Sequence, residues 1–304
     1  MAIHPVALYG GFLAFVLLML AIDLGVFNRK AHVVTLREAI IWSVLWTVLA
    51  LLFNAGIWYY AGPTPALEFL TGYIVERALS FDNIFVFVLI FSYFGVPQKY
   101  HHRVLFWGVV GALVTRALFI AAGAALITRF GWILYLFGLV LVVSGWKMLT
   151  QKNLEVHPDR NLFIRMARKL FPVSTGFETG KFFVRISGVL HLTPLFLVLL
   201  TVETTDIVFA VDSIPAVFGV TQDPFIVFTS NIFAILGLRA TYFLLAGMME
   251  SFPYLSHGLS LVLIFIGVKM LIADLVHVPV GLSLGIVVLV LAVAIIASLM
   301  RRRT

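Results

Sequence analysis

The chain has 304 residues, 62% of them hydrophobic and only 12% charged, with a formal net charge of +7 and a mean hydropathy of +1.08. Soluble domains carry roughly 25% charged residues, so this composition excludes an ordinary soluble protein. The absence of cysteine excludes disulfides and thiolate ligands for soft metals. Apolar runs of about 18 or more residues read as bilayer spans. The sequence predicts nine of them, near 5–27, 39–61, 66–94, 103–127, 131–149, 193–219, 224–248, 257–274 and 278–300. The fold class is therefore all-α, a polytopic membrane protein.

The first run, Val6 to Val26, is too long for a signal-peptide core and lacks a charged start and a small-residue cleavage site, so it is expected to be a retained helix. The loop after it carries Arg29, Lys30 and Arg37, and Asp23 sits near its end. Trp58, Tyr59 and Tyr60 close span two as interface anchors, as Trp132 does before span five. Lys99 and Arg103 follow span three. The long loop after span five holds Lys152, Arg160, Arg165, Arg168, Lys169, Lys181 and Arg185, and Arg301, Arg302 and Arg303 end the chain. The opposite connections hold only Arg129. Because positive residues gather on the cytoplasmic side, the expected placement is the cell (inner) membrane, with the N-terminus outside and the C-terminus cytoplasmic. The positive charge then belongs to loops on a lipid bilayer, and no nucleic-acid partner is expected. Phe163, Met166, Leu170 and Phe171 lie among basic residues. They suggest a short amphipathic helix along the inner membrane surface, although a plain solvated connector fits nearly as well.

Spans three to five echo spans six to eight. Glu76-x5-Asp82-Asn83-Ile84 answers Asp206-x5-Asp212-Ser213-Ile214 at an offset of 130. Thr115-Arg116-Ala117 answers Leu238-Arg239-Ala240 at 123, and Gly145-Trp-Lys-Met-Leu149 answers Gly267-Val-Lys-Met-Leu271 at 122. The matches include charged residues, the rarest letters in such helices. Three spans per unit place the second copy upside down, an arrangement common in transporters. The predicted organisation is 1–65, two peripheral spans; 66–149, the first three-helix unit; 150–192, a basic cytoplasmic loop; 193–275, the second, inverted unit; and 276–304, the last span and tail. Spans one, two and nine are expected to be scaffold or the surface of a homo-oligomer.

Five acids lie deep in apolar helices: Glu76 and Asp82 in span three, and Glu203, Asp206 and Asp212 in span six. One unpaired charge at a helix centre costs about 2.5–3.5 kcal/mol on the insertion scale, so a bound cation, a proton or a basic partner must compensate. Glu76, Ser80, Asn83 and Phe87 share one helical face, and Glu203, Asp206, Ala210 and Ser213 share another. Asp82 and Asp212 stand six residues further on, about 240° round an ideal helix. Convergence of all these groups would require each helix to break near this point, and Pro215 favours a break in span six. Arg116 and Arg239, at equivalent repeat positions, are expected to support the site by pairing with carboxylates; a purely structural ion-pair network is the competing reading. Oxygen ligands suit hard divalent cations. Met148 and Met270 recur near helix ends and read as packing.

The stretch Glu76-Arg-Ala-Leu-Ser-Phe-Asp82-Asn-Ile-Phe-Val-Phe, together with Val202-Glu-Thr-Thr-Asp-Ile-Val-Phe-Ala-Val-Asp-Ser-Ile-Pro215, resembles the TerC/Alx family of integral membrane proteins, placed with the LysE-type exporters. The resemblance covers essentially the whole chain. It implies Mn²⁺ export with Glu76, Asp82, Asn83, Glu203, Asp206 and Asp212 as the ion site. The family's link to tellurite is not carried over, because an acidic core repels an anion. No P-loop, Gly-x-Gly-Asp or His-Glu-x-x-His pattern is present. The expectation is a non-enzymatic secondary transporter without a cofactor, exporting a divalent metal ion by alternating access, with H⁺ antiport as one coupling. The alternative is a membrane partner protein for metal loading or biogenesis of secreted proteins.

Overall fold

The computed structural model describes residues 5–22, 34–150, 161–177, 180–246, 252–276 and 278–301. Asp23, Arg29, Lys30, Lys152, Arg160, Arg302 and Arg303 lie outside the described residues. The chain runs through α1 (Pro5–Ile22), α2 (Leu36–Ala61), α3 (Pro63–Phe94), α4 (Gln98–Arg129), α5 (Ile133–Thr150) and α6 (Leu162–Leu170). A small hairpin follows, β1 (Phe183–Ile186) and β2 (Val189–Leu192), and then α7 (Pro194–Phe218), α8 (Pro224–Leu236), α9 (Leu238–Leu245), α10 (Leu255–Leu271) and α11 (Val280–Arg301). The protein is an all-α polytopic membrane protein. By length and composition six described stretches can cross a bilayer: α2, α4, α5, α7, α8 with α9, and α11. Leu8–Ile22 and Leu255–Leu271 are apolar but shorter. α3 is 32 residues long and carries Glu68, Glu76, Arg77 and Asp82. Of the nine expected spans, six fall on these stretches, two on the shorter helices and one on α3, so six of the nine are long and apolar enough among the described residues.

Local chemistry sets the helix ends. Thr35 and Glu38 form a capping box at the start of α2. Gly62 (φ 96°) then turns the chain into α3, whose first residue is Pro63. Gly95 ends α3 in the left-handed conformation, φ 62°.

Side-chain contacts fix which helix ends lie together. Tyr242 at the end of α9 meets His101 at the start of α4 (3.0 Å), and Ser256 at the start of α10 reaches Asp82 on α3 (3.2 Å). At the other end Thr221, just past α7, donates to Glu68 near the start of α3 (2.7 Å), and Tyr135 on α5 bonds Asp274 beyond α10. The first end, here the basic end, carries Lys99, Arg103, α6 and the hairpin.

α5 and α10 pack along their length through small residues. A Cβ on Gly138 would stand 2.9 Å from the Gly267 carbonyl, and one on Gly145 would stand 2.8 Å from the Ser260 carbonyl. The repeat offset of 122 carries Gly145 to Gly267 and Gly138 to Ser260, so the two contacts are each other's repeat mates. A pair of inverted copies crossing at a twofold axis makes this exchange. α1 and α2 are held from outside by an aromatic cluster in which Phe12, Phe53, Phe69, Phe225 and Phe233 meet at centroid distances of 5.1–6.4 Å. Ile41, Val44 and Leu52 on α2 and Leu289, Val293 and Ile296 on α11 point outward, more than two-fifths exposed. So much outward apolar surface is what a lipid-facing protein presents.

Candidate functional site

A buried polar clamp is built from three helices. Arg116 on α4 is 1% exposed and faces Glu76 on α3 and Asp206 on α7, both also buried. Its guanidinium grips Asp206 with two bonds, Nε to Oδ2 at 3.3 Å and Nη2 to Oδ1 at 3.0 Å, the planar fork geometry that arginine offers a carboxylate. Nη1 donates to Glu76 Oε1, to Ser213 Oγ (3.0 Å) and to Asn231 Oδ1 of α8 (3.5 Å). Glu76 and Asp206 are repeat mates, so one arginine bonds both members of the symmetric pair. Two carboxylates against one guanidinium leave the clamp with one acid group more than its base can balance. Glu76 Oε2 and Asn231 Nδ2 have no hydrogen-bond partner among the described residues. Ser80 donates its hydroxyl back to the Glu76 carbonyl (2.8 Å) and takes no part in the clamp.

The other repeat-related pair faces a different space. Asp82 and Asp212 line a cavity of about 1250 Å³ bordered by α3, α5, α7 and the start of α10. Ser256 donates to Asp82 Oδ1 (3.2 Å) and Ser144 to Asp212 Oδ1 (2.6 Å). Asn83, Ser213, Lys147 and His257 share the lining. Lys147 at the end of α5 and Phe252 to His257 before and within the start of α10 belong to the basic end, so the cavity lies on that side of the clamp. Straight helix geometry accounts for the division. α3 and α7 are continuous through these residues, so side chains six apart point about 240° apart. One set reaches Arg116 and the other reaches the cavity.

The expected helix breaks are therefore corrected. Pro215 is accommodated inside α7, one turn from its end, with its own carbonyl still accepting from Gly219 N at 2.9 Å. Proline at 215 removes only its own bond to the Val211 carbonyl, and α7 runs on past it to Phe218. The interruption falls instead at Gly237, between α8 and α9. Arg77 packs its guanidinium against this glycine, in the space a side chain would fill, and Nη1 donates to the Ala234 carbonyl at 3.3 Å. A cation there complements the negative end of α8.

The six residues named from sequence thus fall in three places. Glu76 and Asp206 are clamped, while Asp82, Asn83 and Asp212 line the cavity. Glu203 lies half-buried against Gly111, with no hydrogen bond to it among the described residues. Arg239 is buried on α9, and the ion pairs to Glu76 and Asp206 come from Arg116. Among the described residues no three His, Asp or Glu side chains stand close enough to hold a metal ion. Sequence reasoning missed Ser144, Ser256 and Asn231, polar groups whose roles only packing discloses, and Glu68. A carboxylate one turn inside the start of a span was the available sign for Glu68.

Among the described residues the far end is closed. Phe218, 2% exposed, fills the space over Gly123 and stands 6.2 Å from Phe137. Gly219 packs on Ile266 and Met270, and Thr221 ties this end of α7 to Glu68.

Comparison with known proteins gives consistent matches. The profile of the Integral membrane protein TerC family matches residues 61–304. A membrane protein of Myxococcus xanthus, itself uncharacterised, is 53% identical over 97% of this chain and 93% of its own length. Alx of Escherichia coli (strain K12), described as a proposed membrane-bound redox modulator, is 48% identical over 96% of this chain and 94% of its own. A membrane protein of Rickettsia bellii is 39% identical over 96% of each. No solved structure gives a significant match.

Proposed function

The chain belongs to the TerC family of integral membrane proteins, and from that premise we propose that it is a secondary transporter exporting a divalent cation, Mn²⁺, from the cytoplasm. The observation that carries the proposal is the pairing of Asp82 and Asp212 on one cavity at the basic end. Two carboxylates supply the charge a divalent ion needs, and the Asn83 amide, the Ser144, Ser213 and Ser256 hydroxyls and water supply neutral oxygens. The choice of Mn²⁺ among hard cations follows the resemblance noted above. The basic end faces the cytoplasm on the positive-inside rule, so the ion enters from there.

Transport then proceeds by alternating access. The ion displaces the serine hydroxyls from Asp82 and Asp212, the far end opens as the repeats rock against each other, and the basic end closes. The Arg116 clamp holds α3, α4 and α7 together through this exchange. An inside-negative potential opposes cation export by about 2.3 kcal/mol per charge per 100 mV. Uptake of protons by the emptied carboxylates, in H⁺ antiport, supplies the compensating gradient. The redox role suggested for Alx fits this reading through the metal pool: with no cysteine, the chain has no thiol of its own to exchange.

Equilibrium Mn²⁺ binding to the purified protein, followed by loss of the free-ion electron paramagnetic resonance spectrum, tests the site. Asp82→Asn with Asp212→Asn is expected to weaken binding tenfold or more, whereas Glu38→Gln, at the outer surface of α2, leaves it unchanged. Equal binding by all three proteins would remove the cavity from the mechanism.

A further inference from the structure

We propose that α6 and the β1–β2 hairpin form a docking surface for anionic phospholipid headgroups at the basic end of the protein. At about 100° per residue, α6 divides into three sectors. Ile164, 1% exposed, is buried against Leu192 and Leu197 and fastens the helix to the body. Leu162, Phe163, Met166 and Leu170 occupy the next sector and are 50–69% exposed. Arg165, Arg168 and Lys169 fill the third. A short helix with one buried edge, one bare apolar edge and one basic edge matches the boundary between acyl chains and phosphates.

The hairpin extends the same surface. Ser187 and Gly188 make a tight turn with both φ values positive, 52° and 83°. Around it Phe183, Ile186, Val189 and Leu190 are 41–53% exposed, with Arg185 among them. Val173, three residues beyond α6, bridges to Leu192, so helix and hairpin form one piece.

Two features identify lipid as the occupant. α7 begins at Pro194, two residues after β2, and the Phe183 ring lies 4.9 Å from Phe196 on that helix. The bare apolar groups therefore sit where a bilayer-spanning helix emerges. Their basic neighbours complement phosphate charge, and polybasic segments beside spanning helices bind anionic lipid. The surface is also wired to the carboxylate helix. Asn161 caps α6 through its side-chain oxygen (2.9 Å to Phe163 N) while its Nδ2 donates to Thr204 Oγ1 at 2.7 Å, next to Glu203 and half a turn before Asp206. Lipid engagement thus sets where α7 is held.

The chain has no cysteine, so single cysteines can be labelled without background. An environment-sensitive fluorophore is placed at Met166→Cys or Ile186→Cys in the full-length protein. The protein is reconstituted in phosphatidylcholine vesicles with and without phosphatidylglycerol, and quenching by shallow brominated lipids is recorded. Strong quenching in the anionic vesicles, several-fold weaker in neutral ones, is expected. Arg165→Gln and Lys169→Gln should each shift docking by roughly fivefold. A label that stays unquenched in both vesicle types would overturn the proposal, as that surface would then serve a protein. Quenching indifferent to lipid charge and to the two substitutions would overturn it as well. Neither outcome depends on metal transport.

Discussion

Arg116 meets two carboxylates with one charge, and its removal would strand both in the bilayer interior. Breaking a buried pair by deleting one partner costs about 3–5 kcal/mol, so Arg116→Met is expected to lower the melting temperature in detergent by many degrees. Adding Glu76→Gln and Asp206→Asn to that variant should restore most of the loss, because the stranded charges disappear. A triple variant no more stable than Arg116→Met alone would show that the clamp holds the helices by shape and not by charge. The acids and Arg116 were legible in the sequence because charged letters are rare in apolar helices, and the positions they occupy repeat. Their division between clamp and cavity was not, since it depends on which helix each face meets. Ser144 and Ser256 were invisible for the same reason: serine is unremarkable in a membrane helix until a carboxylate stands opposite.

At the level of helices, α5 and α10 depend on backbone contact that only glycine permits. Gly138→Val would drive side-chain atoms into the Gly267 carbonyl and Leu271, and overpacking of this kind costs about 1–3 kcal/mol. Gly56→Ala, where a Cβ meets nothing, should instead gain about 0.5–1 kcal/mol from helix propensity. Thermal unfolding of the two variants checks the contrast, and similar behaviour would mean that the close crossing does not exist in solution. The Gly-x-Lys-Met-Leu matches were readable in the sequence, whereas the reciprocal approach of Gly138 to Gly267 and of Gly145 to Ser260 depends on how α5 and α10 pack. Pro215 misled because proline reports a missing donor and not the helix's position relative to its own end. The interruption at Gly237 had a weaker mark, a glycine two residues before Arg239, and became intelligible only with Arg77 packed against it.

Among the described residues the cavity opens on the basic side of the clamp, and Phe218 and Gly219 pack the other side closed. Met148→Cys, lining the cavity, should react quickly with a membrane-impermeant maleimide applied at the basic end, and Val220→Cys should be protected from the far end. Rapid labelling of Val220→Cys alone would reverse the assignment of open and closed ends. The all-helical architecture was plain from hydropathy, because a bilayer admits few alternatives to helices. α6 was foreseeable from its apolar and basic alternation, while the hairpin was not, its strands being four residues each. Metal flux in proteoliposomes tests the central claim most directly, comparing the native chain with Asp82→Asn and Asp212→Asn. Saturable Mn²⁺ movement, at least tenfold slower in the double variant, is the predicted result. Folded, reconstituted protein that moves no Mn²⁺, or a double variant as fast as the native chain, would contradict it.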